Sequence, residues 1–126
     1  MKHTIAVFLI MAFLLSGCSV KEDSLSYHRI GPEEAKEMMD IQPVIILDVR
    51  ERAEFEGGHI PGAVLLPVST ISKDSAAAVI PNYDTTVLVY CRSGNRSQTA
   101  SRALTELGYS EVFEFGGINS WPYEVV

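Results

Sequence analysis

Cys91-Arg92-Ser93-Gly94-Asn95-Arg96-Ser97 sets one thiol, two guanidinium groups and a glycine within a single short segment. Residues of these types at this spacing suit nucleophilic sulfur chemistry. Backbone N–H groups in a tight loop and at a helix start favour an anion such as a thiolate or an oxyanion. Arg92 and Arg96 add full positive charges, and the loop itself holds no carboxylate. A cysteine that ordinarily titrates near pH ~8.5 moves toward or below neutrality in such surroundings, and the thiolate is its reactive form. An inert buried cysteine is the plain alternative, but it would not need two arginines and a Ser-Gly-Asn turn beside it. Ser93, Gly94, Asn95 and Ser97 are therefore expected to shape an anion nest around Cys91. Arg92 and Arg96 are expected to bind the oxyanion end of a substrate through their forked donors.

The flanking residues position this loop. Thr86 to Tyr90 is β-branched and aromatic and reads as a buried strand. Ala100, Ala103, Leu104 and Leu107 follow helical spacing, with Ser97 as the expected cap and Gly108 as the stop. Cys91 thus leaves the carboxyl end of a strand. Elsewhere the pattern predicts strands at Tyr27–Ile30, Val44–Val49, Ala63–Leu66 and Val112–Glu114. It predicts helices from Pro32, over Glu51–Glu56 and over Ile71–Ile80. Strands alternating with helices imply an α/β domain, a central parallel sheet covered by helices on both faces, with ligands at the strand carboxyl ends.

Four blocks along the chain resemble the rhodanese domains, single-domain sulfurtransferases. They are Ile46-Leu47-Asp48-Val49-Arg50 followed by Glu54-Phe55; Gly58-His59-Ile60-Pro61-Gly62-Ala63; the Cys91 to Ser97 loop; and Gly116-Gly117-Ile118 ahead of Trp121. Together they span about Ile30 to Trp121. The resemblance implies a loop cysteine that takes sulfane sulfur from a small anionic donor such as thiosulfate, becomes a persulfide, and passes the sulfur to cyanide or an external thiol. It implies no cofactor. The Cys91-to-Arg96 loop has the sulfurtransferase length, whereas the related phosphatases on this fold carry one residue more. A phosphatase or arsenate reductase is the less favoured alternative, and a persulfide carrier or protein-binding module with little turnover is the other. Asp48 and Arg50 match family positions that support the active-site loop, although a local turn contact or ion pair would explain them as well. His59 lies in what resembles the family's structural turn and is not taken as a base.

The amino terminus suggests a location. Lys2 and His3 precede an apolar run from Ile5 to Leu15, too short for the roughly 20 residues of a membrane-spanning helix but suited to a signal-peptide core. Leu15-Ser16-Gly17-Cys18 resembles the lipobox of bacterial lipoproteins. The expected organisation is a signal peptide over 1–17, a tether over 18–26 with lipid on Cys18, and one domain over 27–126. Such a protein would be anchored in the cell envelope, facing outside the cytoplasm, on the periplasmic side in a Gram-negative host. With Cys18 lipidated, Cys91 has no intramolecular thiol partner. A persulfide on it must then be relieved by an outside acceptor.

The formal net charge is −6. An acidic balance argues against nucleic-acid binding and against electrostatic docking on anionic lipid. The loop arginines are then a local positive spot suited to a small anion. No metal-ligand spacing joins His28, His59 and a cysteine, and Met38 and Met39 read as helix packing.

Overall fold

The computed structural model describes residues 26–126, so the expected signal peptide and nearly all of the tether, Cys18 included, lie outside the described residues. Five parallel strands form one sheet: β1 (His28–Arg29), β2 (Ile45–Asp48), β3 (Val64–Leu65), β4 (Thr86–Cys91) and β5 (Glu111–Gly117). Their order is β1-β5-β4-β2-β3. β4 lies in the middle and is buried from Val87 to Cys91, as expected of a continuous apolar run between two parallel neighbours.

The helices are α1 (Pro32–Ile41), α2 (Arg52–Glu56), α3 (Lys73–Val79) and α4 (Asn95–Glu106). Pro32 opens α1, with Glu33 and Glu34 in its first turn. A reciprocal capping box opens α2, from Glu51 to Glu54, and another opens α3, from Ser72 to Ser75. The latter shortens the helix expected from Ile71, and Val68–Thr70 forms a separate 3₁₀ turn. β5 runs beyond the expected Val112–Glu114 and ends in a second 3₁₀ turn, Ile118–Ser120.

Alternation along the strands divides the core into two layers. Leu47, Val49, Val87, Val89 and Cys91 pack with Ala76 and Ile80 from the α3 region and with Ala100 and Leu104 of α4. Ile46, Leu88 and Tyr90 point the other way, joining Ala35 and Met38 of α1 with Phe115 and Trp121. The expectation of helices on both faces is met. Among the described residues, no helix is long and apolar enough to cross a membrane.

Candidate active site

Cys91 ends β4 on the α4 side of the sheet and is 1% exposed. Among the described residues it is a free cysteine. The chain then turns sharply, because Gly94 takes φ 103°, a left-handed conformation that a side chain would strain. α4 therefore begins at Asn95, and Gly94 rather than Ser97 is its N-cap. This corrects the sequence expectation for Ser97, which lies within the first helical turn and is buried. Its N–H is one of the first-turn donors that find no acceptor inside the helix. Gly94 N–H donates to the Cys91 sulfur at 3.1 Å, and the Ser97 hydroxyl lies 3.4 Å from it.

Burial alone would push the Cys91 thiol up, yet the thiol is held below its ordinary value. The Ser97 hydroxyl and the N–H groups of Ser97, Gly94 and Ser93 outweigh the desolvation. The donors that Ser93, Gly94 and Ser97 turn toward the Cys91 sulfur are mainly backbone. Asn95 is exposed at the start of α4.

The two arginines part company. Arg92 is exposed and lines an open cleft of about 370 Å³ with Glu54, Gly58, Asn119 and Val125. Arg96 instead donates from Nη1 to Glu54 Oε1 at 2.7 Å and from Nη2 to Glu54 Oε2 at 2.9 Å. The expectation that Arg96 faces a substrate is corrected here: its fork is closed on a carboxylate of α2 that the loop sequence alone does not reveal. Glu54 was legible as part of a motif, but its partner lies 42 residues away.

Asp48 and Arg50 form a buried pair, Nη2 to Oδ2 at 2.7 Å. The Tyr90 hydroxyl donates to Asp48 Oδ2 at 2.6 Å and accepts from Ile60 N–H at 3.1 Å, while Arg50 Nη2 donates to the Gly58 carbonyl at 2.6 Å. Their hold on the loop is indirect: they brace Tyr90, the residue before Cys91, and the Gly58–Ile60 turn. His59 stacks on Phe55 with centroids 3.8 Å apart, and its Nδ1 lies 2.9 Å from the Phe55 carbonyl oxygen. This fits the structural role read for it.

On the other side, β4 and β5 slip register between Val89 paired with Glu114 and Cys91 paired with Gly117. A Cβ on Gly117 would run into the Arg92 carbonyl oxygen, so the loop can lie against β5 there only over a glycine. Glu114, a buried carboxylate not singled out in the sequence, accepts from Ser97 Oγ at 2.7 Å. The signal for it was present: a carboxylate interrupts the apolar Val112-Phe113-Glu114-Phe115 run at an alternate, inward position. Among the described residues, no group of three or more His, Cys, Asp or Glu side chains is placed to hold a metal ion.

Residues 31–123 match the rhodanese-like domain family. The chain belongs to that family. Among rhodanese-like relatives, it is 34% identical over 96 residues to the thiosulfate sulfurtransferase GlpE of Pseudomonas putida, covering 75% of this chain and 84% of that one. It is 35% identical over 98 residues to the probable adenylyltransferase/sulfurtransferase MoeZ of Mycobacterium tuberculosis, covering 76% of this chain. There it spans only a quarter of the relative's length. A solved structure described as a rhodanese with anions from E. coli superposes with a TM-score of 0.62 at 31% identity, covering 67% of this chain and 98% of that one. The rhodanese fold expected from the four sequence blocks is the fold observed.

Proposed function

We propose that this rhodanese-like chain is a sulfurtransferase that moves sulfane sulfur from thiosulfate, or a similar small anionic donor, to cyanide or a thiol. The observation that carries this reading is the Cys91 sulfur held in an N–H nest at the end of β4, with Gly94 N–H 3.1 Å away. Cys91 thiolate attacks the outer sulfur of thiosulfate. The bond from that sulfur to the sulfonate breaks, and sulfite leaves with the electron pair. The persulfide rests in the nest formed by Ser93, Gly94 and Ser97 until an acceptor attacks its terminal sulfur and Cys91 departs as thiolate. Arg92, on the cleft wall, orients the donor's oxyanion end. Arg96 fastens the loop to α2 through Glu54, and Asp48 and Arg50 support the loop through Tyr90. The similarity to a thiosulfate sulfurtransferase at 34% identity supports the choice of donor.

The test is thiocyanate formation from thiosulfate and cyanide by the full-length chain, with Cys91→Ser alongside and the resting protein weighed by intact mass. Cys91-dependent thiocyanate together with an adduct of one sulfur is the expected result. An adduct without turnover would replace this reading with a persulfide carrier. Neither adduct nor turnover would remove sulfur chemistry altogether.

We further infer a lipid anchor on Cys18 and a cell-envelope location. The support is sequence alone: the apolar Ile5–Leu15 run leading into Leu15-Ser16-Gly17-Cys18. Labelled palmitate should enter the chain in a bacterial host, and Cys18→Ala should lose both the label and membrane fractionation. Equal labelling of the two chains would refute the anchor.

A further inference from the structure

Glu114 is a buried carboxylate that the mechanism above leaves unused. It pairs with Val89 in the β4–β5 register, which turns it to the face of the sheet that carries Cys91 and α4. Its side chain is 3% exposed. Oε1 accepts from the Ser97 hydroxyl at 2.7 Å and from Gly116 N–H at 2.8 Å. The same Ser97 oxygen stands 3.4 Å from Cys91 Sγ. A hydroxyl has one proton to give, and here the carboxylate at 2.7 Å is the nearest acceptor, with the sulfur and the Gly116 carbonyl oxygen each 3.4 Å away.

We propose that Glu114 is a positioning residue that governs the ionisation of Cys91 by competing with the sulfur for the Ser97 hydroxyl proton. The proposal rests on the reading of Cys91 as the nucleophile. While the carboxylate holds that proton, Ser97 shows the sulfur a lone pair, which accepts from S–H and repels a thiolate. Forming the thiolate releases the thiol proton to water. The Ser97 O–H then turns from Glu114 to the sulfur, and Oε1 keeps Gly116 N–H. No bond between heavy atoms is made or broken. A hydroxyl bound to a carboxylate is held more strongly than one bound to a neutral acceptor, so the charged Glu114 favours the thiol. The charged group facing Glu114 is Arg29 of β1, with Nε 3.6 Å from Oε2, and the one acting on Cys91 is Arg96 of α4, which Glu54 of α2 engages.

The test is the pH dependence of iodoacetamide alkylation in the full-length chain, read on the Cys91 peptide by mass spectrometry so that Cys18 does not contribute. Wild type, Glu114→Gln, Ser97→Ala and the double variant are compared. Glu114→Gln should move the midpoint of the rate profile to lower pH by about one unit, and in the Ser97→Ala background that shift should fall to less than half. A midpoint that stays or rises in a cooperatively melting Glu114→Gln chain overturns the proposal. An equal shift in both backgrounds also overturns it, because charge alone would then account for the effect. Should Glu114→Gln fail to fold, Arg29→Gln replaces it: loss of this exposed cation strengthens the carboxylate's pull. The profile should then move to higher pH, and by less without the Ser97 hydroxyl; no movement overturns the proposal. Alkylation does not depend on sulfur transfer. A chain with this alkylation pattern and no thiocyanate would refute the transferase reading alone.

Discussion

Arg96 and Glu54 form a two-point clamp between the cysteine loop and α2, with N···O distances of 2.7 and 2.9 Å. The Arg96 hydrogen bonds bring the Glu54 carboxyl down to about 2 from an ordinary 4.5. A carboxyl lowered on folding stabilises the native state above its unfolded value, and that contribution is lost as pH falls through the folded value. The pair is partly exposed, so Glu54→Gln should cost no more than about 1 kcal/mol at neutral pH. Melts of wild type and variant should differ at pH 7 and converge as the pH approaches 2. A difference that persists unchanged at the acid end would show that the clamp is not ionic.

Arg92, unlike Arg96, has no carboxylate partner among the described residues. Arg92→Ala should therefore act on donor binding, raising KM for thiosulfate about tenfold, the worth of one charge-assisted contact, with kcat largely kept. Arg96→Ala should instead loosen the loop and lower kcat. Steady-state kinetics with thiosulfate as the varied substrate separates the two, and an unchanged KM in Arg92→Ala would remove it from the donor site.

Gly116 and Gly117 should respond differently to alanine. At Gly117 the new methyl runs into the Arg92 carbonyl oxygen, and the loop must move. A loss of about 1–3 kcal/mol is expected, together with slower Cys91 alkylation. At Gly116, φ is 91° and no atom lies within 4 Å of the added Cβ. The cost there is left-handed backbone strain of about 1–2 kcal/mol, with alkylation nearly unchanged. Paired denaturant curves and alkylation rates test this, and equal alkylation in the two variants would contradict it.

Asp48 joins Arg50 and Tyr90 in one buried network. Asp48→Asn leaves the Arg50 charge without its counterion in a buried position, a loss of about 3–5 kcal/mol. Tyr90→Phe removes the acceptor of Ile60 N–H and should cost about 1–3 kcal/mol. The double variant should fall short of the sum, since the two share Asp48 Oδ2. Additive urea midpoints would argue that the network does not act as a unit.

The β-branched run at Thr86–Tyr90, Pro32 at the head of α1 and the apolar run at Val44–Val49 mark elements from their own residues. Each was therefore legible, with ends misplaced by a residue or two. Ser97 was misread as a cap because Ser is a good N-cap in isolation. Gly94 reaches a left-handed conformation first, and the helix starts at the residue after it.

The sequence by itself determined the α/β class, the cysteine at a strand end and the six-residue Cys91-to-Arg96 loop. These depend on residue type and spacing within short stretches, where steric preference and hydrophobic period act locally. Only the tertiary structure decided what the loop's polar groups bind. Arg96 meets Glu54 and Tyr90 meets Asp48, each across 42 residues, and Ser97 meets Glu114 across 17. Those meetings follow from strand order, from the register slip between β4 and β5, and from a close approach that only glycine permits at Gly117. They are relations between distant segments, and they become definite only when the sheet has assembled.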